Sequence, residues 1–243
     1  MNSRADPLER SGRLRVIHFL YWMVGCGAVL AIYRAGPREP TLVDSLRQLG
    51  SGLAYGTAAS GLGLFLWRWK TGSGPLPTQP GHWLLVFGAI GMVIDFATSA
   101  VYLSALWLGV AITFDAWLFQ QLAAWGSATL IGIVVLTRLR GTSTDWSAAS
   151  IIVVIGIGLN AAADVVSLLG IAVSSGTWPY YIPIWTHVVV TPLALPAIWA
   201  AELSDRLRGV PRDWLHLAGI AAISVLGVAD FAVTLTQAIR YWR

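Results

Sequence analysis

Apolar residues in this chain fall into seven runs of about 18 to 32 positions, and the short segments between them hold most of the charges and prolines. Runs of that length predict helices that cross a bilayer, because about 20 apolar residues span its hydrocarbon core. The first, Val16 to Tyr33, follows a tail with Arg4, Arg10, Arg13 and Arg15 and reads as a signal anchor. Within it Met23-Val24-Gly25-Cys26 loosely resembles a bacterial lipoprotein cleavage box. Apolar residues continue past the cysteine to Ile32, however, which is longer than a cleaved signal requires.

Thr41-Leu42-Val43-Asp44 reads as the capped start of a second helix reaching Trp69. Gly52, Gly56 and Ser60 recur every four residues along it, a stripe that lets a neighbouring helix come close. Residues 71–81 hold three prolines and three glycines and predict an irregular loop, with Lys70 just before it. A third helix runs from His82 and Trp83 to Leu108 with Asp95 at its middle, and a fourth from Asp115 to Arg138 with Gln120 and Gln121 in its first half. The fifth extends from Asp145 to Gly176 and carries Asn160 and Asp164. The sixth starts at Trp178, contains His187, and is expected to be interrupted by Pro192 and Pro196 before ending near Glu202 and Asp205. The seventh runs from Asp213 to Arg240 and carries Asp230.

The expected fold is therefore all-α: one seven-span transmembrane domain over residues 1–243. Asp95, Asp164 and Asp230 sit on alternate helices, and Asp95-Phe96-Ala97 is matched by Asp230-Phe231-Ala232. That pattern suggests one helix, 16–33, followed by three hairpins over 42–108, 115–174 and 178–240. Chance likeness between Ala-rich helices explains it about equally well.

Composition fixes the class. The chain is 56% hydrophobic and 12% charged, outside the balance of soluble domains, and its 13 Trp and 7 Tyr suit the two bilayer interfaces. A net charge of +4 raises nucleic acid as a partner, but the basic residues lie in the tails and short connections, where they act as topology signals. Eleven of the 16 fall on the side of the N-terminus: Arg4, Arg10, Arg13, Arg15, Arg68, Lys70, Arg138, Arg140, Arg206, Arg208 and Arg212. This bias places the N-terminus in the cytoplasm and the C-terminus outside, in a bacterial inner membrane. A retinal protein needs a lysine in its last helix, and Lys70 is the only lysine here. One cysteine, Cys26, excludes an internal disulfide.

The candidate chemistry lies in the apolar runs. With a rise of about 1.5 Å per residue, Asp95 falls near the midplane, with Asp164, Asp230 and His187 within about 6 Å of it and the glutamines roughly 8 to 10 Å out. Asn160 and Asp164 are four residues apart and share one helix stripe with Gly156. Ionisable groups at that depth are costly against lipid, so Asp95, Gln121, Asn160, Asp164, His187 and Asp230 are expected to converge inside the bundle. Their residue types suit a proton, a cation or a small cationic solute, since close carboxylates in low dielectric need a cation or protonation. Taken singly, each acid is better read as a protonated or paired group that fixes helix register, for example with Asn160, Gln121, Ser99 or Thr234; for the layer as a whole the two readings stand about even.

His18, His82 and His216 open helices near the inner boundary and raise haem or metal ligation, without a supporting spacing. Interfacial side chains at helix starts are the simpler reading. No soluble-type catalytic motif accompanies them, and no cofactor is specified. Three functions remain at this stage: proton- or cation-linked transport or binding of a small solute, a noncatalytic membrane subunit with protein partners, and a haem-binding electron carrier.

Overall fold

The computed structural model describes residues 16–34, 42–72, 79–109, 114–139, 143–168 and 178–241. Among these residues there are seven helices and no strand. They are α1 (Val16–Arg34), α2 (Leu42–Thr71), α3 (Pro80–Trp107), α4 (Phe114–Leu139), α5 (Thr144–Leu168), α6 (Trp178–Leu207) and α7 (Trp214–Tyr241). Five contain a stretch long and apolar enough to cross a membrane: Ser45–Thr71, Pro80–Thr98, Thr144–Ala162, Val188–Leu207 and Trp214–Thr236. Five such helices are compatible with a multi-pass membrane protein.

Boundaries differ from expectation at informative places. Helix α2 continues to Thr71 and takes Lys70 into its last turn, where Thr71 Oγ1 donates to the Trp67 carbonyl at 2.8 Å. The segment after Leu168, where the fifth run was expected to continue to Gly176, lies outside the described residues. Pro192 and Pro196 do not interrupt α6, which is continuous from Trp178 to Leu207. A proline removes one backbone donor, and a membrane helix tolerates that where neighbouring helices hold it in place.

The chain divides into two compact units, Met1–Ala89 with Arg208–Leu226 and Ile90–Leu207 with Gly227–Arg243. In the first unit α1 and α2 meet through glycine. A Cβ at Gly25 would come 3.0 Å from the Gly56 carbonyl oxygen, and one at Gly56 would overlap Cys26. The expected small-residue stripe is thus a contact surface, and Trp22 Nε1 adds a 2.8 Å hydrogen bond to Thr57 Oγ1. Leu64, Phe65, Leu85, Leu215 and Ala222 form the core of this unit, with Val86 and Trp214 against it. In lipid such a core is held by close packing rather than by exclusion of water, so shape matters more than apolar area.

In the second unit α5 packs against both α4 and α6. Gly156 on α5 admits the side chain of Val190, and Gly227 on α7 admits Leu195 and Thr191 of α6. Ser143 caps α5, its hydroxyl accepting from the Trp146 N–H at 3.4 Å. Trp146 is fully buried and donates from Nε1 to Asp205 Oδ2 at 2.6 Å, tying the start of α5 to the end of α6. Glu202, one turn earlier and also buried, accepts from Arg206 Nε at 2.8 Å.

Candidate functional site

Two polar regions stand out, one in each unit. All six residues expected in the intramembrane layer belong to the second unit, and the structure describes the side chains of two. Asp95, Gln121, Asp164 and His187 sit at helical positions of α3, α4, α5 and α6, and their side chains lie outside the described residues, as does that of His18 on α1. Asn160 is buried, only 2% exposed. Its Nδ2 donates to the Gly156 carbonyl at 3.1 Å, and its Oδ1, equally buried, has no hydrogen-bond partner among the described residues. A buried acceptor without a donor costs about 1 to 3 kcal/mol.

Asp230 is half-buried. Thr234, an expected partner of its carboxylate, instead donates from Oγ1 to the Asp230 backbone carbonyl at 2.8 Å. Hydroxyls in helices commonly bond back four residues in this way, which leaves the threonine proton with the backbone.

The second region joins the starts of α3 and α7. Gln79 precedes α3 and Pro80 occupies its first position, where a missing N–H costs nothing. His82 follows three residues after Gln79, and the Gln79 N–H points to His82 Nδ1 in a long contact of 3.4 Å. At α7 the equivalent residues are Asp213 and His216. Asp213 is the cap, its Oδ1 accepting from the His216 N–H at 2.9 Å.

The two starts then exchange bonds. His82 Nε2 lies 2.8 Å from Asp213 Oδ1, the Asp213 N–H donates to Gln79 Oε1 at 3.1 Å, and the Gly81 N–H donates to His216 Nδ1 at 2.8 Å. Because Nδ1 of each histidine faces an N–H, the network assigns both rings the neutral form protonated at Nε2. His82 and His216 are 4% and 0% exposed, so the clasp is internal. Glycine makes the approach feasible: a Cβ on Gly81 would overlap the His216 carbonyl, and one on Gly219 the Gly81 carbonyl.

Burial alone would raise the Asp213 carboxyl, but the hydrogen bonds from His82 and from the His216 N–H, with the charge of Arg68, hold it below the usual carboxylate value. His82 has both ring nitrogens engaged, by Asp213 and by the Gln79 N–H. Among the described residues no three His, Cys, Asp or Glu side chains come together as metal ligands. The arrangement closes two helix ends against each other.

No family matches. Neither a protein-family model nor any curated protein or solved structure compared with the chain gives a match. Function must therefore be argued from the residues.

Asn160 was legible from sequence as a polar group in an apolar run. Asp213 was legible only as a helix start, and Trp146 with Asp205 only as helix-end residues. The missed signal is a shared spacing: Gln79 to His82 and Asp213 to His216 each set a histidine three residues after a cap, where it faces whatever the helix start packs against.

Proposed function

We propose that this chain is a seven-span protein of the bacterial inner membrane, its N-terminus in the cytoplasm and its C-terminus outside. Its intramembrane polar layer binds a proton or a small cationic solute in a transport cycle. The observation that carries the reading is the buried Asn160 carboxamide, whose Oδ1 has no donor among the described residues. A ligand bearing N–H or O–H groups, or a bare cation, supplies what that oxygen lacks.

Helix register supports the same reading. Gly156 meets Val190, and α5 and α6 are consecutive helices of opposite direction. One turn beyond Gly156 is Asn160, and three residues before Val190 is His187, so the two positions fall at one level. Asp164 lies one further turn along α5 on the stripe of Asn160.

The test is solute-dependent melting of the purified chain over a panel of cations and organic amines, at several pH values, with Asp164→Asn and Asp230→Asn beside the wild type. Stabilisation by a cation or by protonation that disappears in either variant supports the site. Identical behaviour of wild type and both variants across the panel removes it. Reporter fusions at Gly72 and at the C-terminus check the orientation, with Gly72 expected inside and the C-terminus outside.

A further inference from the structure

Helices α1, α2, α3 and α7 of the first unit line a half-open cavity of about 280 Å³, formed chiefly by Phe19, Trp22, Leu64, Leu85, Trp214 and Leu215. Two hydroxyls also reach it, and both are already engaged. Thr57 Oγ1 donates to the Leu53 carbonyl at 2.7 Å while accepting from Trp22 Nε1, and Ser60 Oγ donates to the Gly56 carbonyl at 2.8 Å. The lining offers hydrocarbon and aromatic faces. Water needs two or more polar partners to settle in such a space, and an apolar cavity of roughly 150 Å³ stays dry and accepts benzene. The present cavity is nearly twice that size.

Its entrance is on the outer face of α1. Phe19 lines the cavity yet is 51% exposed, stacked on Trp22 at a centroid distance of 5.5 Å, and its exposed neighbours Leu20 and Met23 would lie against acyl chains in a bilayer. Basic residues gather at the same helix ends: Arg68 follows the lining residue Leu64 by one helical turn on the same stripe, Lys70 is exposed in the last turn of α2, and Arg212 lies two residues before the start of α7. The positive charge of Arg68 reaches Asp213 at that start, which places it at the cavity's end of α7. Asp213 is itself committed to His82 and to the His216 N–H.

We propose that this cavity takes one acyl chain of an anionic phospholipid whose phosphate rests on the basic rim of Arg68, Lys70 and Arg212. The lining selects a hydrocarbon chain and the rim selects the negative headgroup. Neither element belongs to the polar layer of the second unit, so this site stands or falls separately from the transport reading.

The experiment is native mass spectrometry of the full-length chain, stripped of lipid in detergent and then offered phosphatidylglycerol or phosphatidylcholine. One phosphatidylglycerol is expected to remain bound at activation energies that remove phosphatidylcholine. Lys70→Gln should weaken that preference about fivefold, the share of one basic residue near an anionic headgroup. Ser60→Leu and Ala218→Phe, which fill the cavity, should abolish retention of either lipid. Dihexanoyl phosphatidylglycerol, tested on the wild type, keeps the headgroup but lacks the chain length and should not be retained. Absence of a retained lipid on the wild type, retention of the short-chain lipid equal to that of the long-chain one, or displacement by inorganic phosphate alone would each overturn the proposal.

Discussion

His82 and Asp213, 131 residues apart in the chain, are joined by a 2.8 Å contact between Nε2 and Oδ1. The same carboxylate oxygen caps α7 by accepting from the His216 N–H. One oxygen atom therefore ends a helix and fastens it to another. Replacing Asp213 by Ala removes a cap, worth about 0.5 to 2 kcal/mol, and takes an acceptor from a buried imidazole, worth about 1 to 3 kcal/mol. Asp213→Asn keeps an oxygen for both bonds and should lose much less. Thermal melting in detergent should order the proteins wild type, Asp213→Asn, Asp213→Ala, and an alanine variant as stable as the asparagine variant would show that the clasp contributes little.

The same carboxyl sets a pH dependence. Its value in the folded protein is lowered, so the folded state binds the proton less readily than the unfolded chain. Its stabilising contribution is full above the unfolded carboxylate value of about 4 and is lost as pH falls through the lower folded value. Wild type should exceed Asp213→Asn in melting temperature at neutral pH, and the gap should close on the acid side of pH 4. Arg68→Gln removes one of the charges that lowers the carboxyl, so its acid loss should begin at higher pH. A gap that persists unchanged into acid would sink the assignment.

Much of this architecture is legible in the order of apolar and polar residues, because lipid demands long apolar helices and forbids a carboxamide such as Asn160 on their outer face. What is not legible lies between distant segments. Nothing near Trp146 announces that its indole will meet Asp205, 59 residues on. The prolines of α6 read locally as breaks, whereas the helix passes through them because its packing partners, including Gly156 and Gly227, fix its path. His82 and His216 read as interfacial side chains, since their burial depends on Gly81 and Gly219 allowing two backbones to touch.

That backbone contact gives a sharp steric prediction. Gly81→Ala and Gly219→Ala each push a methyl group into the main chain of the facing helix, where no side chain can turn aside. Losses at the upper end of the about 1 to 3 kcal/mol typical of overpacking, or beyond it, are expected. Gly63→Ala and Gly91→Ala meet nothing within 4 Å and sit inside helices, so they should be neutral or stabilising by about 0.5 to 1 kcal/mol. Size-exclusion yield and melting temperature of the four variants provide the comparison. Equal behaviour of the two pairs would contradict the close approach of α3 and α7.

Trp146 offers a test in the second unit. Phenylalanine keeps most of its volume but removes the indole N–H that reaches Asp205 Oδ2 at 2.6 Å. A buried carboxylate that loses a donor should destabilise the protein by about 1 to 3 kcal/mol. Asp205→Asn in the Trp146→Phe background should restore part of it, because a neutral amide in place of the carboxylate is less costly to bury. Melting of the two single variants and the double variant forms a cycle, and purely additive losses would mean that the pair is not coupled.

Asn160→Leu separates the two readings of the polar layer. The substitution replaces a buried carboxamide by a somewhat larger hydrocarbon branch of the same shape and removes an acceptor that has no donor among the described residues. If the carboxamide served only to fix helix packing through its 3.1 Å bond to the Gly156 carbonyl, losing that bond should cost about 0.5 to 1.5 kcal/mol and have no other consequence. If Oδ1 is kept for a ligand, the variant should melt at the wild-type temperature or above it without solute, since the orphan acceptor is gone. It should also fail to gain stability from any solute that stabilises the wild type. Both melts are run on one preparation, with and without solute. A variant that is less stable and still responds fully to solute would assign Asn160 to packing and move the binding role elsewhere.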